Sequence, residues 1–183
     1  MIRAGFIGID RYTDPLIGDL TGAVRDATAL WAVLSDSIPD LVGSRLINDQ
    51  ASLTAVNALL DETLANAGPE DTVILSFAGH GTPDHRLVVA DTTATDLVGS
   101  TLNMADLAKR FRESKARAVL LLLDCCFSGG APARVLDIGL TTRDPVIPLV
   151  EVSGKGRILF AASSPSEPAL EDPEPGMAYS PRL

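Results

Sequence analysis

Two stretches hold the residue types that do chemistry. "LLLLDCCFSGG" (Leu120–Gly130) runs an apolar segment straight into Asp124, Cys125 and Cys126, then into a Ser-Gly-Gly turn. These are the only two cysteines in 183 residues. "FAGHG" (Phe77–Gly81) sets His80 between two glycines, which let the backbone turn and approach a ligand closely. The second histidine, His85, comes next in the same loop. A thiol beside an imidazole loses its proton more readily, and the thiolate is the nucleophile. Backbone N–H groups around Gly81 and Cys126 would face a developing oxyanion. Nucleophile, base and oxyanion donors together make the equipment of acyl transfer, and on this reasoning either thiol can serve. A lone Cys at a strand end is ordinarily a small buried hydrophobe, and a lone His in a glycine loop is ordinarily incidental. The joint occurrence of both at strand ends makes them a candidate dyad.

For these residues to meet, the chain must bring two strand ends to one edge. Short apolar runs alternate with amphipathic segments. Strands are expected at Arg3–Asp10, Ser44–Asp49, Asp71–His80, Arg117–Asp124 and Gly156–Ser163, with a small extra one at Arg86–Asp91. Between them, Ala23, Ala27, Leu30 and Leu34 recur at helical spacing, with Thr21 as the expected N-cap. Leu53, Val56, Leu60, Leu64 and Ala67 form the face of a second helix, with Ser52 as its N-cap. Met104, Leu107 and Phe111 mark a third. The last 20 residues, rich in Pro, Glu and Ser, read as loop.

Strands separated by helices imply parallel pairing with right-handed crossovers. Strands apolar throughout imply a sheet covered on both faces. The expected fold class is therefore α/β: a three-layer α/β/α sandwich with a mostly parallel central sheet, in one domain over residues 1–183. Sites in such sheets form at the carboxyl ends of the strands, where His80 and Asp124-Cys125-Cys126 both fall.

The net charge of −9 argues against a nucleic-acid partner, whose phosphates attract clustered Lys and Arg. It is compatible with basic substrates. No apolar run approaches the roughly 20 residues of a membrane span, and "MIRAGFIGIDRY" lacks the pattern of a signal peptide. The expectation is a cytoplasmic protein without a membrane partner, in a compartment where disulfides are rare and both cysteines are thiols. The first strand is not followed by G-x-G-x-x-G, and no G-x-x-x-x-G-K-[ST] occurs, so phosphate cradling has no support.

"FAGHG" followed by "LLLLDCCFSGG" resembles the caspase-fold cysteine peptidases, particularly metacaspases and bacterial caspase-like proteins. Their signature is a His-Gly after one strand and Asp-x-Cys-x-Ser-Gly after the next. His80 and Cys126 lie 46 residues apart, against the spacing of about 50 known for caspases. "GFIGIDRY" followed by "DLTGAVRDA" is similar to the family's first strand and helix. The resemblance covers nearly the whole chain. It implies that Cys126 is the nucleophile, His80 its base, and Cys125 a packing residue at a variable position. It also implies that Asp26 and Asp124 line the primary specificity pocket, which would select Arg, then Lys, in a protein or peptide substrate. The implied activity is a cysteine endopeptidase working through an acyl-enzyme. The alternative is a catalytically silent caspase-fold interaction module, against which the presence of both His80 and Cys126 speaks. Several metacaspases need calcium. Asp84, Asp91 and Asp96 lie in the corresponding loop, but no Asp follows Cys126 at the family's short distance, so no metal site and no cofactor is assigned. The family's final strand and helix are not evident, so further domains or another chain are expected to complete the pocket wall.

Overall fold

The computed structural model describes residues 1–125 and 156–162. Five strands form one sheet: β1 (Ile2–Gly8), β2 (Leu41–Ile47), β3 (Thr72–Ala78), β6 (Ala118–Asp124) and β7 (Arg157–Ala161), in the order β2-β1-β3-β6-β7. Every neighbouring pair is parallel. The small strand expected after His80 shortens to β4 (Arg86–Leu87). It pairs antiparallel with β5 (Leu102–Asn103) in a separate two-stranded ribbon, and the short helix α3 (Leu97–Ser100) lies between the two in the chain.

Side chains alternate across a strand, so each strand feeds both faces. On one face Val73, Leu75, Phe77, Val119, Leu121 and Leu123 pack with Val56, Leu59 and Leu60 of α2 (Leu53–Leu60) and with Leu107, Ala108 and Phe111 of α4 (Met104–Glu113). On the other face Ala4, Phe6 and Ile74 meet Leu30, Trp31 and Leu34 of α1 (Ala23–Ser37). A right-handed crossover explains the split. The step from β1 to β2 runs one way along the sheet, and the steps from β2 to β3 and β3 to β6 run the other way. Their helices therefore lie on opposite faces. The result is the expected three-layer α/β/α sandwich.

The carboxyl ends of the strands are flush. Gly8 pairs with both Ile47 and Ala78, Ala78 with Asp124, and Leu123 with Ala161. α1 sits close to this edge because Gly8 has no side chain: a Cβ there would lie 2.5 Å from the Ala23 carbonyl oxygen and 2.7 Å from the Ala27 Cβ.

Several local expectations are corrected. Thr21 does not cap α1. The N-cap is Gly22, without a side-chain bond, and the Asp10 carboxylate accepts the Ala23 N–H at 2.8 Å and the Val24 N–H at 3.4 Å. A carboxylate suits the positive end of the helix, and it arrives from the preceding loop, beyond the reach of a local capping rule. Ser52 does cap α2, accepting the Ala55 N–H at 3.2 Å. The second helix is not one regular helix: α2 passes at Leu60 into a π turn, Asp61–Ala65. Its face survives, with Val56, Leu60, Leu64 and Ala67 buried. β6 is not apolar-buried on both sides. Leu121 and Leu123 are buried while Leu120 and Leu122 are half-buried, and Phe160 of β7 is 62% exposed. α1 covers β1, β2 and β3 on that face.

β7 is fastened to the layer behind it by Leu159, which packs on its core, and by the Arg157 side chain. The Arg157 guanidinium donates to the carbonyls of Phe111 (3.2 Å), Ser114 (2.8 Å) and Ala116 (3.0 Å). The Phe111 and Ser114 carbonyls lie at the C-terminal end of α4, where a cation is favoured by the helix dipole, and Ala116 follows just beyond it. A planar fork serves three acceptors where an ammonium on a flexible stem does not. Arg157→Ala should lower unfolding stability by about 2–3 kcal/mol, with Arg157→Lys recovering only part of it, as read by chemical denaturation.

Candidate active site

His80 lies two residues beyond β3, on the carboxyl edge of the sheet, and is 4% exposed. The Gly79 N–H donates to the Asp124 carbonyl at 3.2 Å, which extends the β3–β6 pairing to the residue before His80. The imidazole Nε2 is 2.8 Å from the Gly18 carbonyl oxygen. A carbonyl only accepts, so Nε2 carries the proton, and in the neutral ring Nδ1 holds the lone pair. That is the tautomer a general base needs if it is to act through Nδ1.

Gly18 belongs to the loop between β1 and α1, whose backbone is tied down by side chains. Asn48 Oδ1 accepts the N–H groups of Asp10 (2.9 Å) and Arg11 (3.1 Å). Asp14 accepts the N–H groups of Leu16 (2.9 Å) and Ala94 (2.7 Å). The Thr13 N–H bonds the Ala90 carbonyl at 2.9 Å. Asn48 has φ +47°, a left-handed conformation that Asn tolerates. Neither Gly18 nor Tyr12, whose hydroxyl accepts the His80 N–H at 3.0 Å, was singled out from sequence. They stand more than sixty positions from His80, and no local spacing signals the contact.

Gly81 forms an isolated bridge with Leu87. Its flanking bonds are Val88 N–H to the His80 carbonyl and Thr82 N–H to the Arg86 carbonyl, both 3.0 Å. That is the non-hydrogen-bonded type of antiparallel pair, in which the central N–H groups point away from the ladder. The Gly81 N–H is therefore not spent on Leu87.

Asp124 ends β6. It lines an open cleft of about 240 Å³ beside β7 with Ser76, Leu122, Phe160 and Ala162. Asp26 lies on the first turn of α1, with its carboxylate 3.5 Å from the Arg25 guanidinium, and is not part of that cleft's lining. The first turn of α1 is nonetheless near: Leu20 and Ala23 pack on Ala78, the register partner of Asp124. Cys125 is 2% exposed and belongs to the core on the α2/α4 side. Cys126, Ser128 and Gly129 lie outside the described residues.

The carboxylates of the candidate calcium loop have protein partners. Asp84 accepts from Thr82 Oγ1 (2.6 Å) and Arg86 Nε (3.0 Å). Asp91 accepts the Leu53 N–H at 2.7 Å, and Asp96 caps α3 through the Gly99 N–H at 3.0 Å. Among the described residues, no three His, Cys, Asp or Glu side chains gather as metal ligands, and no helix is long and apolar enough to cross a membrane.

With this geometry in place, the sequence decides the family. Residues 2–183 match the caspase domain of the peptidase C14 family. The chain belongs to the caspase-domain family. Its fold is similar to that of protein GSU0716 from Geobacter sulfurreducens, with a TM-score of 0.60, 19% identity, and coverage of 74% of this chain and 57% of that one. The caspase-domain chain thus spans little more than half the length of that protein. No curated protein matches it. Membership in a cysteine-peptidase family accords with a His-bearing loop and a Cys-bearing loop that leave neighbouring parallel strands.

The anchoring of the Gly18 loop has a pH signature. The N–H groups of Ala94 and then Leu16 hold the Asp14 carboxyl below its ordinary value of 3.8. A depressed folded value means that this anchoring is fully present above pH 3.8 and is lost as the pH falls through the folded value. Amide exchange at Leu16 and Ala94, corrected for intrinsic rates, should accelerate in the wild type only below pH 3.8 and should be fast throughout in Asp14→Ala.

Proposed function

We propose that this caspase-domain chain is a cysteine endopeptidase that cleaves after basic residues through His80 and Cys126. The observation that carries the reading is the His80 imidazole, held at the carboxyl edge by the Gly18 carbonyl, one strand from the segment that leads through Asp124 into Cys126. With Nε2–H bonded to Gly18, Nδ1 is the nitrogen that serves as base. It takes the thiol proton of Cys126, and the thiolate attacks the scissile carbonyl. The imidazolium then returns the proton to the leaving amine, and water hydrolyses the thioester. The N–H groups of Gly81 and Cys126 receive the oxyanion. Burial of Cys125 in the core supports Cys126 as the nucleophile, because a sulfur packed between strand and helices has no access to substrate.

For specificity, Asp124 supplies a carboxylate in the cleft beside β7. Asp26 is the second acid of the proposed pocket, supported by the packing of α1's first turn on Ala78. The reading assigns no cofactor, no nucleic-acid or membrane partner, and a cytoplasmic setting, with further domains or another chain completing the pocket wall.

Cys126→Ala should abolish cleavage of a fluorogenic Arg peptide, and Cys125→Ala should largely preserve it. His80→Ala should cost as much as Cys126→Ala, with little further loss in the double variant, because the dyad acts as a unit. Labelling by a peptidyl-arginine acyloxymethylketone should fall on Cys126. A label on Cys125, or full activity in Cys126→Ala, would reverse the assignment. In a peptide library varied only before the scissile bond, Arg should exceed Lys and Asp should be rejected. Asp124→Asn or Asp26→Asn should lower kcat/KM for Arg peptides by about one to two orders of magnitude. Indifference to charge would assign these acids to the fold.

A further inference from the structure

We infer that Tyr12 is the positioning residue of His80, fixing both the backbone that carries the imidazole and the plane of the ring. This rests on the peptidase reading for its kinetic consequence and on geometry for its structural one. The Tyr12 hydroxyl accepts the His80 N–H at 3.0 Å and donates to the Ile9 carbonyl at 3.3 Å. One hydroxyl thus joins the segment leaving β1 to the segment leaving β3. The Tyr12 and His80 rings lie 5.1 Å apart between centroids, tilted by 36°. The space for the hydroxyl is left by Gly79, where a Cβ would stand 3.2 Å from the Tyr12 oxygen and 3.1 Å from the Phe77 ring.

These contacts make a two-point clamp. Gly18 holds the far nitrogen of the imidazole, and Tyr12 holds the near backbone and one side of the ring. Both clamp points sit on the loop between β1 and α1. Rotation of the ring about its side-chain bonds would break the Gly18 bond at one point or the Tyr12 packing at the other. Because His80 is nearly fully buried, its N–H has no water to replace a lost acceptor.

Two variants separate the two roles. Tyr12→Phe keeps the ring and removes the acceptor. It should lower kcat about five- to tenfold with KM changed by less than about twofold. In ¹⁵N spectra of the histidines it should admit the Nδ1–H tautomer, which is absent from the wild type. Tyr12→Leu removes hydroxyl and aromatic face together. It should lower kcat further, because the ring loses its packing partner as well as the backbone its acceptor. The proposal is overturned if Tyr12→Phe stays within about twofold of wild type in kcat with its tautomer unchanged. It is also overturned if both variants lose activity only in proportion to folded fraction, with the wild-type tautomer unchanged. If the wild type cleaves no basic peptide, the peptidase reading fails instead, and the tautomer shift in Tyr12→Phe still decides the role of Tyr12.

Discussion

The candidate site depends on parallel pairing in flush register. Gly8, Ala78 and Asp124 stand side by side across three neighbouring strands. The segments that leave them therefore emerge at one edge: the Gly18 loop after β1, the His80 loop after β3, and Asp124 into Cys125 and Cys126 after β6. A seven-residue strand is about 23 Å long, so one reversed strand would carry its motif to the far side of the molecule. Parallel pairing is costly in chain, because each return needs a crossover, and those crossovers become α1, α2 and α4. The helices thus pack on both faces of the sheet and bring the chain back to deliver the next motif to the same edge.

The loops at that edge are held by directed polar bonds as well as by the burial of Ile9, Ile17 and Leu20. Asp10 serves the first turn of α1, Asn48 serves Asp10 and Arg11, and Asp14 serves Leu16 and Ala94. In each case a side-chain oxygen takes up backbone N–H groups that irregular chain leaves without a ladder. Carboxylates and amides do this without filling the cleft. The Gly18 carbonyl can then face the His80 imidazole, and the tautomer of the ring becomes a property of how the β1–α1 loop is anchored.

The periodicities carried the element types well. Alternating and continuous apolar runs marked all five strands, and the buried faces of α2 and α4 read directly from Val56, Leu60, Leu64 and from Met104, Leu107, Phe111. The errors have one cause. Thr21 was favoured as a cap because capping rules look a few residues along the chain, whereas Asp10 reaches α1 through a fold in the loop. Leu120 and Leu122 of β6 are only half-buried, and hydropathy along a strand does not report what packs on each of its faces.

The sequence by itself determined the chemistry on offer: one imidazole between glycines and two thiols after an apolar strand. These are properties of residue type and order, and they led to the caspase-domain family. Only the tertiary structure decided which groups act on one another. It buried Cys125 on the α2/α4 side of the sheet, set the Gly18 carbonyl on Nε2, turned the Gly81 N–H away from its ladder, and put Tyr12 against His80. Hydrogen bonds act over about 3 Å, and Tyr12 and Gly18 lie more than sixty positions from His80 along the chain. No pattern in sequence encodes that approach until the sheet has brought β1 beside β3.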